Sequence, residues 1–240
     1  MPLKPTLAAL LVGDDPSSRL YLFIKEKRAK VLGVSFKKIL LSLHTSQEEL
    51  EDVIEELNRD KSIHGILLQL PLPHHLNPNR AVGVIDPLKD VDGFHWDSGV
   101  KPPVVLAIRD LLLSSEETLQ GKRAKLFIKG DHFYKRVTNM LQEEGIEVVE
   151  NSLEADIVIT AQGKASFLKA SMVKKGSIVI DVGINRKRGK TVGDAAPDVG
   201  GKAGYMSPVP GGVGPLTVAN LFVNFLELVR QSLARESPLW

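Results

Sequence analysis

Ser18, Tyr21 and Lys25 are the first residues whose types and spacing could do chemistry. They follow a predicted strand and the turn Asp14-Asp15-Pro16, and they recur at helical spacing. Positions three and four apart lie on one helix face, so a hydroxyl, an aromatic ring and an amine would converge there. A helix that starts at the carboxyl end of a strand is also where open α/β sheets build sites. Taken alone, a surface lysine beside a half-buried tyrosine explains this stretch more simply.

Gln69 and the acids Asp90 and Asp92 lie in two further stretches. Gln69 interrupts the apolar run GILLQLPLP, and a buried amide needs partners that either the core or a substrate can supply. In KDVDGFH the two acids flank a valine before a glycine, which suggests a loop that holds a carboxylate in place, although an ordinary turn with solvated acids is the commoner explanation. The neighbouring histidines show no recognised ligand spacing with these acids, so no metal site is predicted.

The fourth stretch, PVPGGVGPLT, runs from Pro208 to Thr217. Three glycines and three prolines directly before a helix predict a stiff loop where backbone can approach a ligand closely. A simple linker would not need so much fixed geometry, so this stretch favours a functional loop.

The composition limits the class of protein. The chain has 240 residues, 25% of them charged and 43% hydrophobic, which is typical of a globular protein with one large α/β domain or two small ones. A formal net charge of +2 gives no reason to expect nucleic acid or an anionic membrane as a partner. The absence of cysteine excludes disulfides and a thiol nucleophile, and fits a cytoplasmic protein.

Apolar runs alternate with amphipathic stretches along the chain, which predicts an α/β fold with parallel strands. The predicted strands are 7–12, 35–41, 63–70, 125–129, 146–150, 156–160 and 177–182, and the predicted helices are 17–32, 46–58, 77–85, 103–113, 134–144 and 215–234. Ser46 and Glu49 form a predicted capping box at the start of the second helix. A boundary near residue 100 divides the chain into two lobes with a cleft between them.

Together the four stretches resemble the bifunctional methylenetetrahydrofolate dehydrogenase/methenyltetrahydrofolate cyclohydrolase family. GILLQLPLP, KDVDGFH, PVPGGVGPLT and VIDVGIN occur in the order that the family shows, over nearly the whole chain. The resemblance implies a catalytic, folate-binding lobe, 1–101, completed by the C-terminal helix 215–240. It also implies a Rossmann-like NAD(P)-binding lobe, 102–214, and a cytoplasmic homodimer that interconverts tetrahydrofolate derivatives for purine and amino-acid biosynthesis.

The resemblance also implies roles for individual residues. Lys25 would be the catalytic amine, Gln69 would hydrogen-bond to it, and Asp92 would bind the N–H groups of the pterin. Tyr21 would stack on the substrate, with Ser18 also in contact. The residues that would line the substrate cleft are Pro210, Gly211 and Gly212, and those that would contact the nicotinamide cofactor, NADP or NAD, are Gly130, Glu150, Ser152 and Thr217. A lysine with its ordinary pKa of about 10.4 is a poor base at neutral pH, so the cleft must lower that value by desolvation.

The stretch 130–137 departs from the family. The family has Gly-Arg-Ser followed by Val-Gly-x-Pro, whereas this chain has GDHFYKRV, in which only Gly130 matches. Asp131 replaces the arginine that would meet the 2′-phosphate of NADP. The segment before Ala155 is shorter than usual, and the family's first helix, ahead of Leu7, has no counterpart.

Three readings of this departure stay open. Lys135 or Arg136 supplies the phosphate charge in a remodelled loop; or NAD replaces NADP, with Glu150 on the ribose 2′-hydroxyl; or hydride transfer is lost and only the cyclohydrolase remains. Glu150 is equally well explained as a solvated strand end. A non-catalytic folate-binding homologue is the alternative from another class of protein.

Overall fold

The computed structural model describes residues 4–236, which form two compact units. Within the described residues, unit 1 comprises 4–102 and 221–236, and unit 2 comprises 103–220. Residues 1–3 and 237–240 of the predicted lobes lie outside the described residues.

Unit 1 contains a three-stranded parallel sheet with the order β2-β1-β3. Its elements are β1 (Thr6–Val12), α1 (Pro16–Val31), β2 (Ser35–Leu41), α2 (Gln47–Arg59), β3 (Gly65–Leu68) and α3 (Pro78–Val84). Residues 7–12 of the central strand are all buried, because helices and loops cover both faces of a parallel sheet. The apolar face of α2, with Leu50 and Ile54, packs on one side of that strand.

Local sequence signals explain where the first two helices begin. The Asp15 carboxylate accepts a hydrogen bond of 2.7 Å from the Ser18 amide and caps α1, with Pro16 in the first turn. The predicted capping box of α2 is present: Ser46 Oγ accepts from the Glu49 amide, and the Glu49 carboxylate accepts from the Ser46 amide.

Unit 2 is built on a five-stranded parallel sheet with the order β10-β7-β6-β4-β5. Its elements are α4 (Pro103–Leu113), β4 (Arg123–Ile128), α5 (Asp131–Glu143), β5 (Glu147–Val148), β6 (Ile157–Ala161), β7 (Ile178–Asp181), the antiparallel hairpin of β8 (Asn185–Lys187) and β9 (Lys190–Val192), and β10 (Tyr205–Met206). Helices α4 and α5 pack their apolar sides against one face of the sheet. The strand order reverses direction beside β4, as in doubly wound nucleotide-binding domains.

The last helix, α6 (Val213–Glu236), contributes to both units. Asn220 donates to the Asp110 carboxylate within unit 2, at 2.7 Å. Asn224 donates to the carbonyls of Val91 and Lys101 within unit 1, at 3.0 and 2.8 Å. The helix is long and apolar enough to cross a membrane, but Phe222 is among the largest fully buried side chains, as expected for a core helix.

The predicted α/β class is confirmed, but several element bounds differ. In unit 1, β3 spans Gly65–Leu68 and not the predicted 63–70, and the other differences fall mainly in unit 2. Helix α5 begins at Asp131, three residues before the predicted start, so it occupies most of the stretch that departs from the family. The predicted strand 146–150 is reduced to two residues, because only Glu147 and Val148 pair with β4. The sequence reading missed the β8–β9 hairpin and β10, which are too short to show a period.

Candidate functional site

Lys25 and Gln69 meet in unit 1. Lys25 lies on α1 and Gln69 directly follows β3, and Lys25 Nζ donates to Gln69 Oε1 at 3.0 Å. Gln69 Nε2 donates to the Leu70 carbonyl at 2.8 Å, which turns the amide oxygen toward the lysine. Gln69 is buried. The Lys25 side chain as a whole is partly exposed, but its amine lies among protein atoms that desolvate it. The hydrogen bond fixes the position of the amine.

Burial changes the protonation of the amine and of a neighbouring acid. Desolvation lowers the pKa of Lys25 from its usual value, and the charge of Asp92 partly opposes this shift. Desolvation raises the pKa of Asp92 to about 6; the charge of Lys25 opposes that rise and the charge of Asp90 adds to it. Both groups therefore change protonation closer to neutrality than they would in water, as acid–base catalysis requires.

Asp90 also belongs to this site: its charge raises the pKa of Asp92, an effect that the sequence did not predict. Its side chain is buried, its Oδ2 accepts from the His95 amide at 2.9 Å, and burial raises its pKa. Asp90 forms a strand-like bridge with Ile66, and the backbone turns directly after it, with the Gly93 amide donating to the Asp90 carbonyl at 3.3 Å. The two acids of KDVDGFH were the sequence signal that could have suggested interacting carboxylates.

The other predicted residues of unit 1 lie on the same helix as Lys25. Ser18 is buried in the first turn of α1. Tyr21 is partly exposed, one turn before Lys25, so the expected helical spacing is present. Their contacts with a substrate stay predictions.

The rings of His75 and His95 are paired with backbone carbonyls. Nε2 of His75 pairs with the Thr45 carbonyl at 3.0 Å, and Nε2 of His95 pairs with the Val82 carbonyl at 2.9 Å. Among residues 4–236 no group of three or more His, Cys, Asp or Glu side chains is arranged to hold a metal ion.

The predicted loop residues of unit 2 form a fixed turn before α6. The Gly212 amide donates to the Pro208 carbonyl at 2.9 Å, and a Cβ on Gly212 would lie 2.6 Å from that oxygen. Gly211 has a φ of +115°, a conformation that side chains rarely adopt. Pro210, directly before Gly211, is exposed, and the hydroxyl of Thr217 donates to the Val213 carbonyl of its own helix at 2.8 Å. The stiffness expected from the sequence is therefore present.

Gly130 and the residues after β6 form the second part of unit 2 that could hold a ligand. Gly130 lies two residues after β4 and is the N-cap residue of α5; it has a φ of +97° and nothing within 4 Å of the place where a Cβ would be. Ile128 pairs with Ala161, so the loops after β4 and β6 emerge side by side where the strand order reverses. The backbone there fits a dinucleotide, since pyrophosphate binds at a helix start in this position. Asp131, in the first turn of α5, places an acid beside this pyrophosphate position.

Glu150 and Ser152 follow β5, and their contacts with a cofactor stay predictions. Glu150 lies two residues beyond β5, and its carboxylate accepts from Lys125 Nζ at 2.7 Å, which lowers the pKa of Glu150. Because Lys125 already forms an ion pair with Glu150, the interpretation of Glu150 as a solvated strand end is favoured over ribose binding. Ser152 lies in the turn that joins β5 to β6, and its carbonyl accepts from the Ala155 amide.

The two units define the class of protein. Unit 1 carries a desolvated lysine with amide and carboxylate partners, and unit 2 has the sheet order of a nucleotide-binding domain. This combination is that of an enzyme that uses a nucleotide cofactor.

Comparison with known proteins identifies the family. Residues 2–92 match the model of the tetrahydrofolate dehydrogenase/cyclohydrolase catalytic domain, and residues 102–233 match the NAD(P)-binding domain of the same family. The bifunctional protein FolD of Wolbachia sp. subsp. Drosophila simulans is 40% identical over 242 residues, covering 92% of this chain and 83% of that protein.

Solved structures agree with this assignment. FolD from Campylobacter jejuni, a methylenetetrahydrofolate dehydrogenase/cyclohydrolase, superposes with a TM-score of 0.90 at 37% identity, covering 96% of this chain and 89% of that one. The Trypanosoma brucei enzyme, complexed with NADP cofactor and inhibitor, gives a TM-score of 0.87 at 30% identity and covers 95% of this chain and 88% of that one. The chain belongs to the tetrahydrofolate dehydrogenase/cyclohydrolase family, an enzyme family with an NAD(P)-binding domain.

Proposed function

We propose that this protein hydrolyses 5,10-methenyl-tetrahydrofolate to 10-formyl-tetrahydrofolate and oxidises 5,10-methylene-tetrahydrofolate with a nicotinamide cofactor. The observation that carries the proposal is the Lys25–Gln69 hydrogen bond of 3.0 Å, made by an amine whose pKa is lowered by burial. It lies in the unit that matches the family's catalytic domain.

Lys25 is the acid–base group of the hydrolysis. Its neutral amine accepts one proton of the water whose oxygen adds to the methenyl carbon. The other hydrogen of that water moves to N5 as the bond between the carbon and N5 breaks and the formyl carbonyl forms. Lys25 then releases its proton to solvent, so one proton is produced for each water consumed. Gln69 holds the amine in place, and Asp92 binds the pterin N–H groups.

The oxidation needs the same substrate position and a cofactor in unit 2. When bound, NAD(P) supplies the acceptor for a hydride from the methylene carbon. Gly130 and the start of α5 offer backbone to its pyrophosphate, and Thr217 lies near the cofactor. Pro210, Gly211 and Gly212 contact the substrate. Within unit 1, Tyr21 and Ser18 orient the substrate, since hydride transfer depends mainly on position.

Asp131 supports a second candidate, a protein with the cyclohydrolase alone or with NAD in place of NADP. An acid in the first turn of α5 repels the 2′-phosphate of NADP. Titration of the purified protein with NADP and with NAD distinguishes these cases. Hydride transfer with either cofactor rejects the cyclohydrolase-only version, and folate binding without any turnover identifies a non-catalytic homologue.

Replacement of Lys25 by methionine tests the proposal. Lys25→Met keeps the length of the side chain but removes the amine, so we expect the cyclohydrolase rate to fall at least about a hundredfold, the range for loss of an acid–base group. The absorbance of methenyl-tetrahydrofolate measures that rate. The matched control is Lys30→Met at the exposed end of the same helix, which should keep its activity. Near-normal hydrolysis by folded Lys25→Met would remove the amine from the mechanism.

We also propose that the protein is a cytoplasmic homodimer that supplies one-carbon units for purine and amino-acid biosynthesis. The family resemblance supports this proposal. The formal net charge of +2 and the burial of Phe222 and Phe225 on the apolar α6 favour a small-molecule substrate over nucleic acid or a membrane as the main partner. Light scattering on the purified protein tests the dimer, and a monomeric mass at micromolar concentration would contradict it.

A further inference from the structure

Asp194 in unit 2 is a buried carboxylate that holds a loop by its backbone. It has no exposed surface, and it accepts hydrogen bonds from three consecutive amides, those of Gln162, Gly163 and Lys164, at 2.5, 3.1 and 2.9 Å. The side-chain amide of Asn185 donates to its Oδ1 at 2.9 Å. Three successive N–H groups aimed at one point form a site for an anion, and here the anion belongs to the protein itself.

The loop that Asp194 holds lies where the strand order reverses. Residues 162–164 directly follow β6, which pairs with β4 through Ala161 and Ile128. The loop therefore emerges beside Gly130 and the start of α5. In open α/β sheets this edge is where a nucleotide ligand lies.

A second buried acid fixes Asp194 in turn. The amides of Gly183, Asp194 and Ala195 donate to the Asp181 carboxylate at 2.9, 2.9 and 2.8 Å. A Cβ on Gly193 would lie 2.0 Å from Asp181 Oδ2, so no larger residue fits between them. Three loops, after β6, β7 and β9, are thus tied together at one edge of the sheet.

This arrangement leaves the outer side of the 162–164 loop accessible to a ligand. The amides point inward to Asp194, whereas Gly163 is exposed, has a φ of +65° and has nothing within 4 Å of a hypothetical Cβ. The amide N–H groups are occupied, so they are not donors for a phosphate. The Asp194 carboxylate instead fixes the conformation of the loop. The outer side of the loop faces solvent at the carboxyl ends of the strands, where a nucleotide would lie.

We propose that Asp194 is a positioning residue for the nicotinamide cofactor: it holds residues 162–164 in the conformation against which the cofactor binds. This inference rests on the proposed dehydrogenase function. Asp194 itself touches neither cofactor nor substrate, and it acts through the loop.

Asp194→Asn tests the inference because the amide keeps the shape but puts an NH₂ group against N–H donors. In the cofactor-free protein we expect the amides of 162–164 to exchange hydrogen at least about tenfold faster, since a lost bond to a charged group corresponds to that factor or more. Fluorescence titration with NADPH and NADH should show at least about tenfold weaker binding, with a higher KM for the cofactor. Cyclohydrolase activity, which depends on unit 1, should stay within about twofold.

The matched control is Asp198→Asn. Asp198 is exposed and accepts one long bond, of 3.4 Å, from the Ala170 amide, so its loss should leave cofactor binding and the exchange of 162–164 unchanged. If Asp194→Asn does not fold, Asn185→Ala removes one donor to the same carboxylate and should weaken binding in the same direction by a smaller factor.

The outcomes distinguish failure of the positioning role of Asp194 from failure of the proposed dehydrogenase activity. Unchanged cofactor binding in a folded variant overturns the positioning role and leaves the dehydrogenase intact. Equal losses of cofactor binding and cyclohydrolase activity also overturn it, because they indicate general destabilisation. A wild-type protein that binds neither NADP nor NAD overturns both the inference and the dehydrogenase part of the proposed function.

Discussion

At the scale of single residues, Lys25 and Asp92 show how burial prepares a pair of groups for proton transfer. An ammonium and a carboxylate in water would both stay charged at neutral pH. Desolvation penalises each charge, so the pKa of Lys25 falls and that of Asp92 rises to about 6, although their mutual attraction opposes both shifts. Asp90, itself buried, adds to the rise at Asp92. Desolvation therefore exceeds pairing at this site.

The raised pKa of Asp92 has a consequence for stability. A pKa raised from 3.8 to about 6 corresponds to an unfavourable free energy of about 3 kcal/mol when the group is ionised. The folded state binds the proton more tightly than the unfolded state. The contribution of Asp92 to the free energy of unfolding is therefore fully present below pH 3.8 and is lost as the pH rises through about 6.

We expect Asp92→Asn to be more stable than the wild type at pH 8, by about 1–3 kcal/mol, and equal to it near pH 4. The neutral amide avoids the cost of a desolvated charge, while substrate binding should weaken because the carboxylate is lost. Urea unfolding at both pH values measures this. Asp52→Asn, at an exposed position on α2, should show no such difference. Lower stability of Asp92→Asn at pH 8 would mean that pairing with Lys25 outweighs desolvation.

At the scale of elements, the contact between β3 and α6 holds together the unit that carries Lys25. Gly65 opens β3, and a Cβ there would lie 2.7 Å from atoms of both Phe225 and Val91. Asn224, next to Phe225, donates to the Val91 carbonyl. The C-terminal helix therefore packs directly on the strand that leads to Gln69.

We expect Gly65→Ala to lower the free energy of unfolding by about 1–3 kcal/mol, because fully buried Phe225 must shift to admit a methyl group. Urea denaturation measures the change. Gly83→Ala on α3 is the control: it meets nothing within 4 Å, and the better helix propensity of alanine should make it neutral or more stable by up to about 1 kcal/mol. Equal stabilities of the two variants would show that β3 and α6 are less tightly packed than the structure indicates.

At the scale of the whole molecule, the two units carry different groups of predicted residues. The lysine, glutamine and acids belong to unit 1, and the glycine loop at the strand reversal belongs to unit 2. This division matches the two family domains, 2–92 and 102–233. The chemistry of the amine and the binding of the cofactor should therefore be separable by experiment.

Hydrogen exchange with each ligand should show this separation. We expect NADPH or NADH to protect amides of 130–134 and 162–164, and a folate analogue to protect amides around Lys25 and 90–95. At a hundredfold excess over Kd, the stabilisation of the binding-competent state is about 2.7 kcal/mol. Mass spectrometry of proteolytic peptides locates the protection. Cofactor protection confined to unit 1 would contradict the assignment of unit 2.

The sequence predicted some elements of each unit with the right bounds and others less well, for a physical reason. Strand 35–41 and helix 103–113 were predicted with the bounds that the structure has, because their apolar periods and end signals are local. Helix α5 starts earlier than predicted because the backbone turns at Gly130, which has a positive φ, and the helix follows directly. Strand β5 is shorter because strand length depends on pairing with β4, which local sequence does not contain.

The sequence by itself determined the α/β class, the family and the placement of Ser18, Tyr21 and Lys25 on one helix, since these follow from residue types at fixed spacing. Only the tertiary structure decided that Asp90 lies close enough to act on Asp92, that Lys125 engages Glu150, and that Asp194 holds the loop after β6. Such contacts join residues far apart in the chain or depend on burial. Protonation and loop shape respond to those contacts, so packing had to be known first.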